Sequence, residues 1–238
     1  MGTVYFSGAS IDENGKASGG KAGDQTGKEV LTRKVYTHSK GWRIFRHPDA
    51  SVAAAIGSYA KAIADNNCFG YDQGQRATGY TASKAAGWNP AKVTTNVELD
   101  CSSMVRTCVA CALKADVSDF NTASEASVLL KLGFTEITGT AVTDLVVGDI
   151  CVTKTKGHTE TVSSSTNSRA AASVSYYPTY TGSSTSIVTV LAAVGEKDTS
   201  FTHRKAIAVA NGISGYTGTA SQNLSMVTLC KKGKLIKA

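Results

Sequence analysis

The chain contains no hydrophobic run long enough to cross a bilayer. Its most apolar long stretch, SVAAAIGSYAKAIA (51–64), is alanine-rich and carries Lys61. It falls short of the ~20 residues that about 30 Å of hydrocarbon demands, so no membrane anchor is expected. The amino terminus, MGTVYFSGASIDENG, lacks the basic segment and apolar core of a secretory signal, which predicts synthesis and folding in the cytoplasm. Charged residues make up only 18%, and no basic stripe with interleaved aromatics is present to grip nucleic acid, so no nucleic-acid partner is expected. The six cysteines (68, 101, 108, 111, 151, 230) lack the second ligand pair that a zinc site requires, so no metal is expected. Without a secretory signal their default state is the reduced thiol. Histidine is scarce too, at four residues (38, 47, 158, 203), which leaves few candidates for a base.

A length of 238 residues and a hydrophobic share of 42% allow one large domain, or a domain of about 150 residues with a small module. The net charge of +7 suits an anionic partner: nucleic acid, an acidic membrane surface or a polyanionic cell wall. Thirteen of the 24 residues from 163 to 186 are Ser or Thr, a composition that favours exposed chain. The expected division is a first domain over 1–177, a linker over 178–187 and a module over 188–238, with ASVSYY (172–177) supplying a last strand to the first domain. Residues 188–238 hold seven Lys or Arg against two acids, so most of the net charge lies there.

Helix signals are clear within the first domain. Pro48 opens a helix over about 49–65, and Gly87 stops one in QGQRATGYTASKAAG. In NTASEASVLLKLG, Thr122 lies three before Glu125, a capping box, and Gly133 ends the helix. FTEIT, LVVGDICVT and HTETV read as strands, the last two joined by the turn KTKG. Helices followed by strands predict an α+β domain. In the tail, Gly195, Gly212 and Gly233 each close a short segment, predicting three helices.

The segment ELDCSSMVRTCVACA (98–112) admits several readings. As a helix, Cys101, Met104, Val105, Cys108, Cys111 and Ala112 share one face. Cys108 and Cys111 suit the core, since free cysteine behaves as a small hydrophobe; a CxxC thiol oxidoreductase is the weaker option. Cys101 differs because it opens the helix. Asp100 can cap it, and Ser102 and Ser103 continue a polar first turn. A thiol there meets the positive end of the helix dipole, which predicts a lowered pKa. Free N–H groups at the same place can supply part of an oxyanion hole. Among the histidines, His158 begins a strand after a tight turn, where a rigid sheet can aim it. His38, in THSKGW, and His47, before Pro48, read as loop residues, and His203 as surface. By spacing alone, His158 also suits a structural role.

DCSSMVRTC followed by GDICVTKTKGHTETV resembles the signature of NlpC-type and CHAP-type cell-wall cysteine peptidases, a papain-like group. SIDENGKASGGKAGDQTGKEV and GYDQGQR resemble a phage and prophage endolysin branch of that group. The resemblance implies helices packed on an antiparallel sheet, Cys101 as nucleophile and His158 as general base, with no cofactor. It implies that Tyr71 steadies the tetrahedral intermediate and that Asp24, Gln25, Gln73 and Ser102 line the cleft, although a turn held by Asp24 suits GDQTG equally. The group's third polar residue falls where Ala170 stands, leaving Glu160, on the same strand face as His158, and Asn167 as substitutes.

The implied substrate is peptidoglycan with its anionic wall polymers, reached after release from a host bacterial cytoplasm. The implied cut is an amide after a D-glutamyl residue, with the muramoyl–L-alanine amide as the alternative. A non-catalytic wall-binding or phage structural protein is the competing class. The tail resembles small helical wall-binding modules of phage lysins, while its apolar stripes also suit a dimerisation bundle. The oligomeric state stays open.

Overall fold

Local signals set the helices of the computed structural model, which describes residues 2–169, 175–213 and 215–237. In α1 (Ala50–Ala64), the Asp49 side chain accepts the N–H groups of Ser51 and Val52. Helix α2 (Thr78–Ala85) ends just before Gly87, whose φ of 75° admits glycine readily. Helix α3 (Cys101–Leu113) has a reciprocal cap: Asp100 Oδ1 accepts the Ser103 N–H at 2.6 Å, and Ser103 Oγ accepts the Asp100 N–H at 2.8 Å.

Helix α4 (Glu125–Lys131) lacks the capping box expected of Thr122 and Glu125; its N-cap is Ser124, with no side-chain cap bond. Thr122 Oγ1 instead accepts the Gly157 N–H at 3.1 Å, and Glu125 Oε1 accepts the Thr159 hydroxyl at 2.8 Å. A neighbouring strand competes successfully for both side chains.

Six strands form an antiparallel sheet: β1 (Val4–Ala9), β2 (Val30–Lys34), β3 (Trp42–Arg46), β6 (Thr135–Ile137), β7 (Ile150–Thr153) and β8 (Thr159–Ser165). Their order is β2-β1-β8-β7-β3-β6. The helices-first order is thereby corrected, because β1 to β3 precede every helix. Strand β1 is buried at all positions except Tyr5, so no polar alternation marks it. Only the second half of LVVGDICVT is strand. Gly148, at φ 84°, turns the chain so closely over Ala53 of α1 that a Cβ would strike the Ala53 carbonyl. Asp149, fully buried, then pairs in two-pronged fashion with Arg46 at 2.7 and 2.6 Å.

A short parallel pair, β4 (Phe69–Tyr71) and β5 (Val97–Leu99), sets Tyr71 beside Leu99 and leads into α3. Helix α3 packs against α1, α2, β1 and β8. From Cys101 to Cys111 every residue but Arg106 is buried, so α3 is enclosed on all sides instead of along one face. Ile56, Ile63, Phe69, Leu99, Met104 and Leu129 are each under 2% exposed, and burying one such side chain is worth about 1.5–3 kcal/mol. Cys108 and Cys111 lie in this core, and all six cysteines are free thiols.

The chain divides into units Met1–Ala170 and Ala171–Ala238. The second contains α5 (Ile187–Ala193), α6 (Phe201–Ala210) and α7 (Ala220–Lys231) around Val190, Leu191, Ile207, Met226 and Cys230. Tyr177 joins that core, and its N–H donates to the Leu235 carbonyl at 2.8 Å. Residues 175–180, expected in the first domain and the linker, thus belong to the second unit. The apolar bulk of Tyr177 outweighs the polar composition around it. Of the strand expected over 172–177, residues 172–174 lie outside the described residues, and Tyr176 bridges to Ile236. Among the described residues no helix is long and apolar enough to cross a membrane.

Candidate active site

Cys101 is the first residue of α3, two residues beyond β5, and is 8% exposed. The backbone N–H groups of Thr159 and Ser102 lie close enough to its sulfur to favour the thiolate. Burial, followed by the charges of Asp100 and Glu125, nonetheless pushes its thiol up to about 12. The lowered pKa expected from the helix terminus is therefore corrected. A helix dipole contributes about 0.3–1 kcal/mol, under one pKa unit, whereas full burial can move a group by roughly 3–5 units.

His158 stands at the end of the turn into β8. Its backbone is locked twice to Thr153: the His158 N–H donates to Thr153 Oγ1, and its carbonyl accepts the Thr153 N–H, both at 3.0 Å. Its Nε2 lies 2.9 Å from Glu160 Oε1. Glu160 is fully buried and also accepts the Tyr36 hydroxyl at 3.1 Å, with Arg33 Nε 3.6 Å away. With Glu160 as the acceptor of this bond, Nε2 carries the proton and the Nδ1 lone pair is free. Burial and the Glu160 charge raise the Tyr36 phenol, which keeps it a donor. Gly8 of β1 makes the space: a Cβ there would run into the Glu160 carboxylate.

An aromatic wall surrounds the imidazole. His38 stacks on His158 with ring centroids 6.3 Å apart and planes at 29°, and Trp42 lies 6.3 Å from it. Burial, then the charges of His158 and Lys40, lower the His38 pKa. Nothing in THSKGW marks this placement, since the contact depends on how β3 pairs with β7. His47 packs edge-on against Phe134, and its Nδ1 accepts the Asp49 N–H at 3.1 Å. His203 lies in the second unit, 3.2 Å from Glu196.

The remaining candidates separate into two groups. Tyr71 is close enough to Cys101 for a thiolate there to raise its phenol; burial dominates, bringing it to about 12. Its oxygen accepts from Gln73 Nε2 at 3.1 Å. Ser102 Oγ donates to Asp100 at 3.0 Å and accepts from Arg76, which also bonds Asp100 at 2.7 Å.

Away from the imidazole, Asp24 Oδ1 accepts the N–H groups of Thr26 and Gly27, and the Gln25 amide donates to the Ala22 and Gly23 carbonyls, so both side chains hold their own loop. Asn167 donates to the carbonyls of Thr143 and Leu145 and does not orient His158. Tyr36, Arg33 and Glu125 belong to the neighbourhood without having been anticipated. Glu125 is fully buried, its carboxyl pushed up to about 8 by that burial. Among the described residues no group of three His, Cys, Asp or Glu is arranged to hold a metal ion.

No curated protein and no solved structure matches the chain. Residues 6–170 match the family model described as an endolysin-like domain. That span covers well over half of the 238 residues and includes Cys101, His158 and Glu160. By this match, the chain belongs to the endolysin-like domain family.

Proposed function

We propose that the protein is a phage-type peptidoglycan hydrolase that cleaves an amide of the stem peptide with Cys101 as nucleophile and His158 as base. Family membership suggests the substrate; the Cys/His mechanism is our own reading. One observation carries it: the N–H of Thr159, the residue after His158, lies close enough to the Cys101 sulfur to favour its thiolate, while the buried Glu160 bonds the His158 Nε2.

His158 Nδ1 takes the thiol proton as the sulfur attacks the amide carbon. The N–H groups of Ser102 and Thr159, with the Tyr71 hydroxyl, stabilise the oxyanion. Collapse of the intermediate breaks the C–N bond, and the imidazolium gives its proton to the departing amine. Water, deprotonated by the same imidazole, then frees the acyl group and restores the thiol. Glu160 fills the orienting role.

We favour the bond following the D-glutamyl residue, with the muramoyl–L-alanine amide second, since identical groups serve any amide and cleft walls select the substrate. The second unit, with its excess of lysine, is proposed to bind anionic wall polymers. Purified walls treated with wild type or Cys101→Ala, followed by mass spectrometry, provide the test. New amino termini inside the stem, absent with the variant, support an endopeptidase. Free intact stems beginning with L-alanine indicate the amidase. Lysis by Cys101→Ala, or new reducing sugar ends with uncut peptides, would end the cysteine mechanism, and binding without cleavage would favour a non-catalytic wall protein.

A further inference from the structure

Thr122 and Glu125 have the spacing of a capping box, yet neither caps α4. Both reach across to the strand entry that carries His158, one on each side of it. Thr122 Oγ1 accepts the N–H of Gly157 at 3.1 Å, and Glu125 Oε1 accepts the hydroxyl of Thr159 at 2.8 Å. Glu125 and Thr159 are both fully buried, where a hydroxyl without an acceptor is costly. A carboxyl is a costly way to fill such a space, and a leucine would fill it without an ionisable group. What the carboxyl adds is an acceptor for Thr159, whose own N–H lies close enough to the Cys101 sulfur to favour its thiolate.

We infer that Thr122 and Glu125 are positioning residues, a two-point clamp that holds residues 157–159 in register so that His158 and the Thr159 N–H both face Cys101. The inference rests on the proposed Cys101/His158 chemistry. Neither residue touches the scissile bond; each acts through the neighbour of His158 to which it is bonded. Displacement of this segment by about 1 Å is enough to cost on the order of a hundredfold in rate.

The test compares conservative and disruptive pairs in the full chain: Thr122→Ser against Thr122→Val, and Glu125→Gln against Glu125→Leu. The readouts are apparent kcat and KM on purified walls, with Tm alongside. Thr122→Val and Glu125→Leu should lower kcat about ten- to a hundredfold with KM within about twofold, while Ser and Gln, which keep an acceptor, should stay within about threefold of wild type. Should Glu125→Leu fail to fold, the Thr122 pair alone decides. Wild-type kcat in Thr122→Val, or equal losses in both members of a pair, would overturn the clamp. Cys101→Ala separates the two levels. If it is inactive while the clamp variants stay fully active, only the clamp fails; if it retains lysis, the clamp falls with the mechanism.

Discussion

Cys101 should rest as a thiol and not as half of a thiolate–imidazolium pair. Its pKa stands at about 12 against an ordinary 9.0, so the thiolate is about a thousandfold scarcer at neutral pH than on a free cysteine. At 1.36 kcal/mol per unit, ionising it costs about 4 kcal/mol more, several times what a helix terminus returns. Under the proposed chemistry, proton transfer to His158 is then part of the attack and not a prior equilibrium.

Alkylation of Cys101 by iodoacetamide, followed by peptide mass spectrometry from pH 6 to 10, measures this directly. The logarithm of the rate should climb with a slope near one across the whole range, with no plateau. Because the folded pKa exceeds the unfolded one, the contribution of Cys101 to stability is complete below about pH 9 and is lost as pH rises toward 12. The Tm should therefore be followed in parallel. A rate plateau below pH 7 that disappears in His158→Ala would refute the reasoning, because only a pre-formed ion pair produces one.

Three further outcomes are expected. Glu160→Gln removes a charge-assisted bond to the imidazolium worth about 1.5–3 kcal/mol, so kcat should fall about 10- to 150-fold; a loss under threefold would exclude the orienting role. Glu98, buried beside Glu29 and Asp72, is pushed up to about 8 by burial first and those charges next. Its stabilising contribution is full below the ordinary 4.5 and fades as pH rises through 8. The Tm of wild type should thus drop between pH 5 and 9 more steeply than that of Glu98→Gln, and parallel curves would contradict this. Replacing the exposed Lys205, Lys232 and Lys234 with Gln should weaken sedimentation with Gram-positive walls at 0.1 M salt, where the Debye length is about 10 Å, and matter little at 1 M, where it is about 3 Å. Unchanged sedimentation would remove the electrostatic account of wall binding.

The helices were legible because their determinants are local. Asp100 and Ser103 lie three residues apart and cap α3 as their spacing suggests, and Gly87 and Gly133 take the positive φ their positions require. The bond from His158 to Glu160 follows the two-residue period of a strand, so it too could be read in advance. Strands β1 to β3 could not, since Phe6 and Phe45 are buried by partners far along the chain. Thr122 and Glu125 show the opposite failure: the local pattern was present, and a distant strand outbid it. The Cys101 pKa is hidden from the sequence for a related reason. A dipole can be inferred from a helix start, whereas the water excluded from the thiol depends on the whole enclosure around α3.

Strand β1 lies between β2 and β8, pairing Ser7 with Thr161 although these residues stand at opposite ends of the first unit. During synthesis Cys101 emerges 57 residues ahead of His158, and β1 waits for its second neighbour almost until the unit is complete. Every shorter nascent chain carries the thiol without its imidazole, its Glu160 or the Thr159 N–H. Closing that long loop late makes maturation slow compared with a helical bundle of equal size. Under the proposed chemistry, the order of translation itself keeps the protein inert until its last strand docks.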